Sequence, residues 1–193
     1  MIRFAFREWA AICRALVDGS QSVILRKGGI AEDDGVFTPD HRRFWLFPGK
    51  FHQNPGDLKP EAAPVLQSLH DRPFAPPGIL RLEYYAEATV IRKLEAESVA
   101  LALDEMHLWT AQTVRERFRY RKPGLWLLVV RVYRNPHPID LPILPAWEAC
   151  KTWIDTGVEL AMESILGEAV IDDETHCARI ERLDTLLHPT AMM

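Results

Sequence analysis

The stretch Gly19-Ser-Gln-Ser-Val-Ile-Leu-Arg-Lys-Gly-Gly-Ile30 combines an apolar run, two adjacent cations and a pair of glycines. Its apolar run, from Val23 to Leu25, predicts a buried strand, and the glycine that opens the stretch predicts the end of a preceding helix. The glycine pair predicts a turn that other residues would strain to adopt. The chain is therefore expected to pass from a helix into a strand whose last residues are polar.

The two cations at the end of this strand, Arg26 and Lys27, form the first candidate site. They could bind a phosphate or the edge of a base, and the main-chain amides of Gly28 and Gly29 would complete a concave anion site. The alternative is a salt bridge from the strand end to an acidic residue of the next loop, beside a plain hairpin turn. Both interpretations stay open at this level.

Length and composition limit the classes of protein that fit. A chain of 193 residues with 48% hydrophobic residues predicts one domain with a substantial core. A formal charge of -4 argues against a protein that coats nucleic acid by charge alone, so an anion site must be local. Three widely spaced cysteines predict neither a disulfide framework nor a zinc site, and each is expected to pack as a small hydrophobe.

The sequence predicts neither a signal peptide nor a membrane-spanning helix. The first residues carry charges where a signal peptide would be apolar, and no apolar run approaches the length of a membrane-spanning helix. We expect a soluble cytoplasmic protein without a membrane partner.

Periodicity and turn residues predict the remaining elements. A helix is expected over residues 4–17, where Phe6, Trp9, Cys13 and Leu16 would share a face. Leu125 to Tyr133 is a nearly continuous apolar run and predicts a central strand. Thr110 is expected to cap a helix. The other expected elements are a short strand at 44–47, a helix at 61–70, a strand at 80–92, an extended proline-rich passage at 136–145, and helices around 147–154 and 180–187.

Aromatic and polar residues from Trp45 to Gln53, at the predicted short strand and the loop that follows it, form a second candidate site. Trp45 could stack on an unstacked base while His52 and Gln53 read its edge. An aromatic cluster that serves as the private core of the loop is the alternative. His107 could act as an acid or base, or else be a buried histidine bonded to the main chain.

Charge is divided unevenly along the chain. Residues 115–134 hold seven cations against Glu116 alone, whereas the chain from Asn135 onward holds three cations and eleven carboxylates. Arg117 and Arg121 are the candidates for contacts along a nucleic-acid backbone. The alternative is a solvated helix face.

Several short motifs together resemble the bacterial domain of unknown function family 1802 over nearly the whole chain. The resemblance implies a loose link to restriction-modification systems, because relatives occur beside restriction-enzyme domains. The motifs that carry it are Phe4-x-Phe-x-Glu-Trp-Ala10, Gln21-Ser-x-Ile-Leu-Arg-Lys-Gly-Gly-Ile30, Phe44-Trp-Leu-Phe-Pro48, Phe51-His-Gln53, His107-Leu-Trp109, Pro123-Gly-Leu-Trp126 and Arg131-Val-Tyr133.

The turn Gly19-x-Gln21-Ser22-x-x-x-Arg26 is also similar to that of the PUA-like group of small β-barrels, including the ASCH branch. Those proteins bind RNA or modified bases, and one ASCH branch uses a lysine and a threonine of this turn to hydrolyse acylated cytidine. Gln21 stands where that lysine is expected and cannot act as a base. The resemblance therefore implies a binding module, and Gln21 departs from the pattern of that hydrolase.

The leading hypothesis is a single α+β domain, a PUA-like mixed or antiparallel β-barrel over about residues 1–145 with a helical extension over about 146–193. It would bind nucleic acid or a modified nucleotide in a single cleft between the strand end at Arg26 and Lys27 and the loop from Trp45 to Gln53. We expect no catalysis, metal or cofactor, and a restriction-modification protein as a possible partner. The second hypothesis is an enzyme, either a modified-base hydrolase or a metal nuclease with Glu83, Glu87 and Lys93. The third is an interaction subunit whose acidic C-terminal helices bind a basic partner.

Overall fold

The computed structural model describes residues 1–27, 39–49, 54–147, 151–162, 165 and 167–188. Its main elements, in chain order, are β1 (Ile2–Trp9), α1 (Ala10–Val17), β2 (Val23–Arg26), β3 (Arg43–Gly49), α2 (Ala63–Asp71), β4 (Ile79–Leu94), α3 (Glu97–Ala102), α4 (Ala111–Arg119), β5 (Leu125–Pro142), β6 (Trp153–Leu160), β7 (Glu168–Ala169) and α5 (Asp173–Leu187). Short 3-10 helices lie at Pro55–Asp57, Pro60–Ala62, Asp104–Met106 and Pro145–Trp147.

All the described strands belong to one seven-stranded mixed sheet with the order β2-β5-β4-β3-β1-β6, and β7 pairs with the middle of β5. β1 and β3 run parallel, and the other pairs are antiparallel. β2 and β6 lie at opposite edges of this sheet, yet Arg26 at the end of β2 donates a hydrogen bond of 2.6 Å to Thr152, just before β6. The sheet must therefore curl to bring its two edges together. The prediction of a single α+β domain on a mixed, barrel-like sheet is confirmed.

Apolar residues cover both faces of the sheet. The larger cluster contains buried apolar residues of α1, β2, the first half of β5, α4 and α5. Every buried apolar residue of α1 except Ala10 belongs to it. The smaller cluster lies on the other face and contains Trp45, Tyr85 and Trp147. No helix in the described part of the chain is both long enough and apolar enough to cross a membrane.

Residues 4–9 are a strand, so the helix predicted over residues 4–17 is wrong in its first half. Phe6 packs in the larger cluster while its neighbour Ala5 packs in the smaller one. Because apolar residues of this strand pack on both faces, it lacks a strict alternation, and the spacing of Phe6 and Trp9 matches a helix by coincidence. The helix begins at Ala10 and ends near Gly19, whose φ of 71° is the predicted left-handed conformation.

The prediction of a helical extension over residues 146–193 is wrong in part, because this region also contains the strands β6 and β7. Ile154 and Thr156 are buried while Asp155 and Gly157 are exposed, and this alternation belongs to β6, which pairs with β1. The proline-rich passage is also a strand, because β5 continues to Pro142 and pairs with the start of β4. α5 is the final helix that the sequence predicted.

Candidate anion-binding site

A buried group of charges lies at the end of β2. Arg26 contacts the carboxylate of Glu8 on β1 at 3.6 Å and the hydroxyl of Thr152 at 2.6 Å. One oxygen of Glu8 accepts a hydrogen bond of 2.8 Å from the amide of Trp9. Its other oxygen and Nε of Arg26 have no hydrogen-bond partner among the described residues. The Glu8 side chain is 1% exposed, so this pair is held away from bulk water.

Arg117 on α4 lies beside this pair and packs against two tryptophans. Its guanidinium carbon is 3.7 Å from the ring centre of Trp109 and 5.3 Å from that of Trp9. Burial lowers the pKa of Arg117 from its ordinary value, and the nearby carboxylate of Glu8 opposes that change. Arg117, predicted to contact a nucleic-acid backbone, instead has its charge directed at buried rings.

Lys27 stabilises the turn that follows α4. Its ammonium donates to the carbonyl oxygens of Phe118 at 3.0 Å and Gly124 at 2.8 Å, and also to that of Lys122. An ammonium has three hydrogen atoms, so these bonds use every donor. Burial and, to a lesser extent, Lys93 lower the pKa of Lys27. The phosphate contact predicted for Lys27 is corrected to a structural role.

This turn, residues 120–124, is called the basic turn below. Tyr120 is 49% exposed, and the guanidinium carbon of Arg121 lies 5.2 Å from its ring centre. Arg121 and Lys122 are exposed and take part in no ion pair among the described residues. The side chain of Lys93 also lies beside the basic turn, since its Cε is 3.7 Å from the position that a Cβ at Gly124 would occupy.

Trp45 cannot stack on a ligand in this structure. Its side chain is 0% exposed, and its ring packs edge-on against Tyr85, with 5.7 Å between the ring centres. Trp45 is therefore part of the core on one face of the sheet, and does not belong to a core confined to the loop. His52 and Gln53, the predicted base readers, lie outside the described residues, as do Gly28 and Gly29. The single cleft predicted to contain Arg26, Lys27 and Trp45 is not formed by the described residues.

Two polar residues of the quoted motifs hold elements together. Gln21 donates to the carbonyl of Val23 at 2.7 Å and accepts from the amide of Leu108 at 3.1 Å. His107 is buried, and its Nδ1 accepts a hydrogen bond of 3.2 Å from the amide of Trp109. Burial lowers the pKa of His107 to about 4, with a further contribution from Lys59. A histidine that is neutral at pH 7 and bonded to the main chain fits the structural alternative.

The carboxylates proposed for a metal nuclease are engaged in ion pairs. Glu83 lies 3.0 Å from Arg134, and Glu87 lies 3.0 Å from Arg43. A register shift between Ala88 and Val90 separates both from Lys93 along β4. Within the described residues, no three side chains of the His, Cys, Asp or Glu types are grouped so that they could hold a metal ion.

Comparison with known proteins places the chain in a family. The model named "Domain of unknown function (DUF1802)" matches residues 5–182. The chain belongs to this family. No curated protein matches this DUF1802 chain.

Among solved structures, the DUF1802 chain is similar to the ASCH protein of Zymomonas mobilis, with 11% identity, a TM-score of 0.44, and coverage of 92% of this chain and 93% of that one. A point mutant of the same protein gives 14% identity, a TM-score of 0.40, and coverage of 75% and 76%. ASCH is the branch to which the motif at Gly19 was compared.

Three residues of the site were missed by the sequence reasoning. Glu8 and Thr152 join it through strand pairing, because β1 lies between β3 and β6 in the sheet. No local pattern marks such neighbours. Tyr120 did have a signal, since an aromatic residue between two arginines just before Pro123-Gly124 is expected near the end of a helix.

Proposed function

We propose that this protein binds single-stranded nucleic acid at the basic turn, with Tyr120 stacking on a base and Arg121 and Lys122 contacting phosphates. The observation that carries the proposal is the half-exposed ring of Tyr120 beside Arg121. Stacking on an exposed ring and contact with nearby cations are the two parts of binding to single strands.

The charge balance of the molecule supports this choice of surface. The whole chain has a formal charge of -4, so attraction of a polyanion requires a local positive region. Several exposed cations elsewhere are paired, as Arg3 is with Asp155 and Arg81 with Asp140. Arg121 and Lys122 have no such partner among the described residues, and so their charge is available to a phosphate.

The interior supports the conformation of the turn. Lys27 binds the carbonyls of Lys122 and Gly124 in the turn and that of Phe118 in the last turn of α4, and the amide of Gly124 donates to the carbonyl of Phe118 at 3.1 Å. A surface fixed before binding loses less conformational entropy when the ligand binds. The buried pair of Arg26 and Glu8 fixes β2, from which Lys27 extends.

The test is the fluorescence anisotropy of labelled single-stranded RNA and DNA titrated with the full chain. Tyr120→Ala should weaken binding by about 5- to 100-fold, since base stacking on an aromatic ring contributes about 1–3 kcal/mol. Tyr120→Phe retains the ring and should bind like the wild type. Comparison of the two strands decides between RNA and DNA.

A matched charge control comes from the far end of β1. Arg3→Ala removes one exposed arginine there and should leave affinity nearly unchanged, whereas Arg121→Ala should weaken it. Equal losses in the two arginine variants, or binding that is insensitive to Tyr120→Ala, would place the ligand elsewhere.

Two parts of the sequence-based hypothesis remain proposals without a further observation in their favour. One is recognition of a modified nucleotide instead of a strand, and the other is a partner protein from restriction-modification. The same anisotropy assay with modified mononucleotides as competitors tests the first. Co-purification of this protein with restriction-modification proteins tests the second.

A further inference from the structure

A cavity of about 550 Å³ lies on the face of β1 opposite to the charged group around Glu8. Arg7 lines this cavity, whereas the next residue, Glu8, contacts Arg26 on the other side, as alternation along a strand requires. The volume lies within the range of sites for small molecules, about 300–1,000 Å³. The cavity is separate from the basic turn and is independent of the function proposed above.

The wall of the cavity is fixed before any ligand binds. It includes Pro73, Phe74, Pro76 and Pro77, which leave the main chain little freedom. The guanidinium of Arg14 stacks on Phe74 at 4.3 Å and also donates to the carbonyl of Arg72 at 2.6 Å. At the other end of the segment, the carbonyl of Gly78 accepts a hydrogen bond of 2.8 Å from the amide of Ile143.

The lining is mainly apolar and has a positive side. Phe47, Leu80 and Ile143 supply apolar surface, and Arg7, His70 and Arg81 supply the basic groups. No aspartate or glutamate lines the cavity within the described residues. The guanidinium carbon of Arg7 lies 4.6 Å from the ring centre of Phe47, so positive charge and a flat apolar wall are adjacent.

We propose that this cavity binds a small amphipathic anion with a flat apolar body and one carboxylate, sulfonate or phosphate group. The body would lie against Phe47 and Phe74, and the anionic group would face Arg7 and Arg81. Arg81 donates to Asp140 from Nε and one terminal nitrogen, at 2.7 and 2.8 Å, and Arg7 donates to the carbonyl of Trp147. The ligand would therefore compete with these partners for both arginines.

The test is a fluorescence titration of the full chain with 8-anilinonaphthalene-1-sulfonate, followed by displacement with 2-naphthoate and its neutral analogue 2-naphthamide. Naphthoate should displace the dye at a concentration about 10- to 100-fold lower than naphthamide, because hydrogen bonds between charged groups are stronger than those to a neutral amide. Decanoate distinguishes a flexible chain from a flat body and should compete less well than naphthoate. Equal displacement by naphthoate and naphthamide would overturn the proposal.

Substitutions localise the site. Ala75→Trp fills the cavity and should abolish dye binding, whereas Ala63→Trp adds the same ring at an exposed position of α2 outside the lining and should not. Asp140→Asn frees Arg81 and should tighten naphthoate binding, while Arg81→Gln should weaken it. If Ala75→Trp does not fold, the opposite effects of Asp140→Asn and Arg81→Gln decide alone. Unchanged affinity in both of those variants would refute the site.

Discussion

His107 shows how one buried side chain makes stability depend on pH. Its ordinary pKa of 6.5 falls to about 4 in the folded protein, mainly because burial disfavours the charged ring. Between these two values the unfolded chain binds a proton that the folded chain does not. Stability therefore rises with pH across this window and is lost as the pH falls from about 6.5 to about 4.

We predict that the wild type loses up to about 3 kcal/mol of stability through His107 over this range. His107→Asn keeps an acceptor near the position of Nδ1, which bonds to the amide of Trp109, but does not titrate. Urea unfolding at pH 7 and pH 4.5 should show a smaller pH dependence for the variant. Burial also lowers the pKa of His41 and His176, so a part of the dependence should remain. Identical pH profiles for the two proteins would contradict the assignment.

The arginines of α4 and the basic turn should separate into structural and binding groups. Arg117→Ala removes contacts with the rings of Trp9 and Trp109 and should cost about 2 kcal/mol of stability. Arg121→Ala changes an exposed residue and should stay within about 0.5 kcal/mol. Thermal unfolding monitored by circular dichroism measures both. Equal stability losses would mean that the guanidinium of Arg117 does not pack as described.

At the scale of elements, the connection from α1 to β2 packs closely against the chain just before α5. A Cβ added at Gly19 would lie 2.8 Å from Cγ2 of Ile171, at a φ of 71°. Arg179 on α5 also donates to the carbonyl of Gly19 and to the hydroxyl of Ser22. The turn that opens the decisive stretch of sequence is therefore part of the contact with the last helix.

Gly19→Ala should destabilise the protein more than Gly157→Ala. Both glycines have φ near 70°, so an added Cβ costs each variant about the same conformational free energy, about 1 kcal/mol. Of the two, only Gly19 has a neighbour among the described residues within 4 Å of that Cβ. The difference between the two variants measures the contact with Ile171. Ile171→Ala in the Gly19→Ala background should recover part of the loss. No difference between the two glycine variants would show that Ile171 is not packed against this turn.

Sequence patterns predicted elements marked by a cap, a turn or a continuous apolar run, and failed where apolar residues at helical spacing lay in a strand. Thr110 does cap α4, its hydroxyl accepting from the amide of Thr113, and α5 is a helix. By contrast, β1 is buried on both faces and was taken for a helix. The period of β6 was visible in the sequence, but the spacing of Trp147, Cys150 and Ile154 outweighed it.

At the scale of the whole molecule, the site depends on strand order, which no local pattern reveals. β2 lies at one edge of the sheet and β6 at the other, yet the curl of the sheet brings Arg26 to Thr152. The sequence correctly indicated cations at the end of β2. It did not indicate that Glu8 would neutralise Arg26, or that Lys27 would use its donors on the main chain.

The distribution of charge over the molecule leads to the same conclusion about function. Buried and paired cations stabilise the fold, and the exposed cations of the basic turn remain for a ligand. Binding should therefore depend on salt through a small number of phosphate contacts, in contrast to a protein that coats nucleic acid.

The salt dependence of binding tests this account most directly. The logarithm of the association constant for single-stranded nucleic acid is measured against the logarithm of salt concentration, from about 50 to about 200 mM, for the wild type and for Arg121→Ala with Lys122→Ala. The slope is negative, and the account predicts that the double variant reduces its magnitude by about 1.4, since each lost phosphate contact on a single strand removes about 0.7. An unchanged slope in the double variant, or an equal decrease caused by Arg3→Ala, would contradict it.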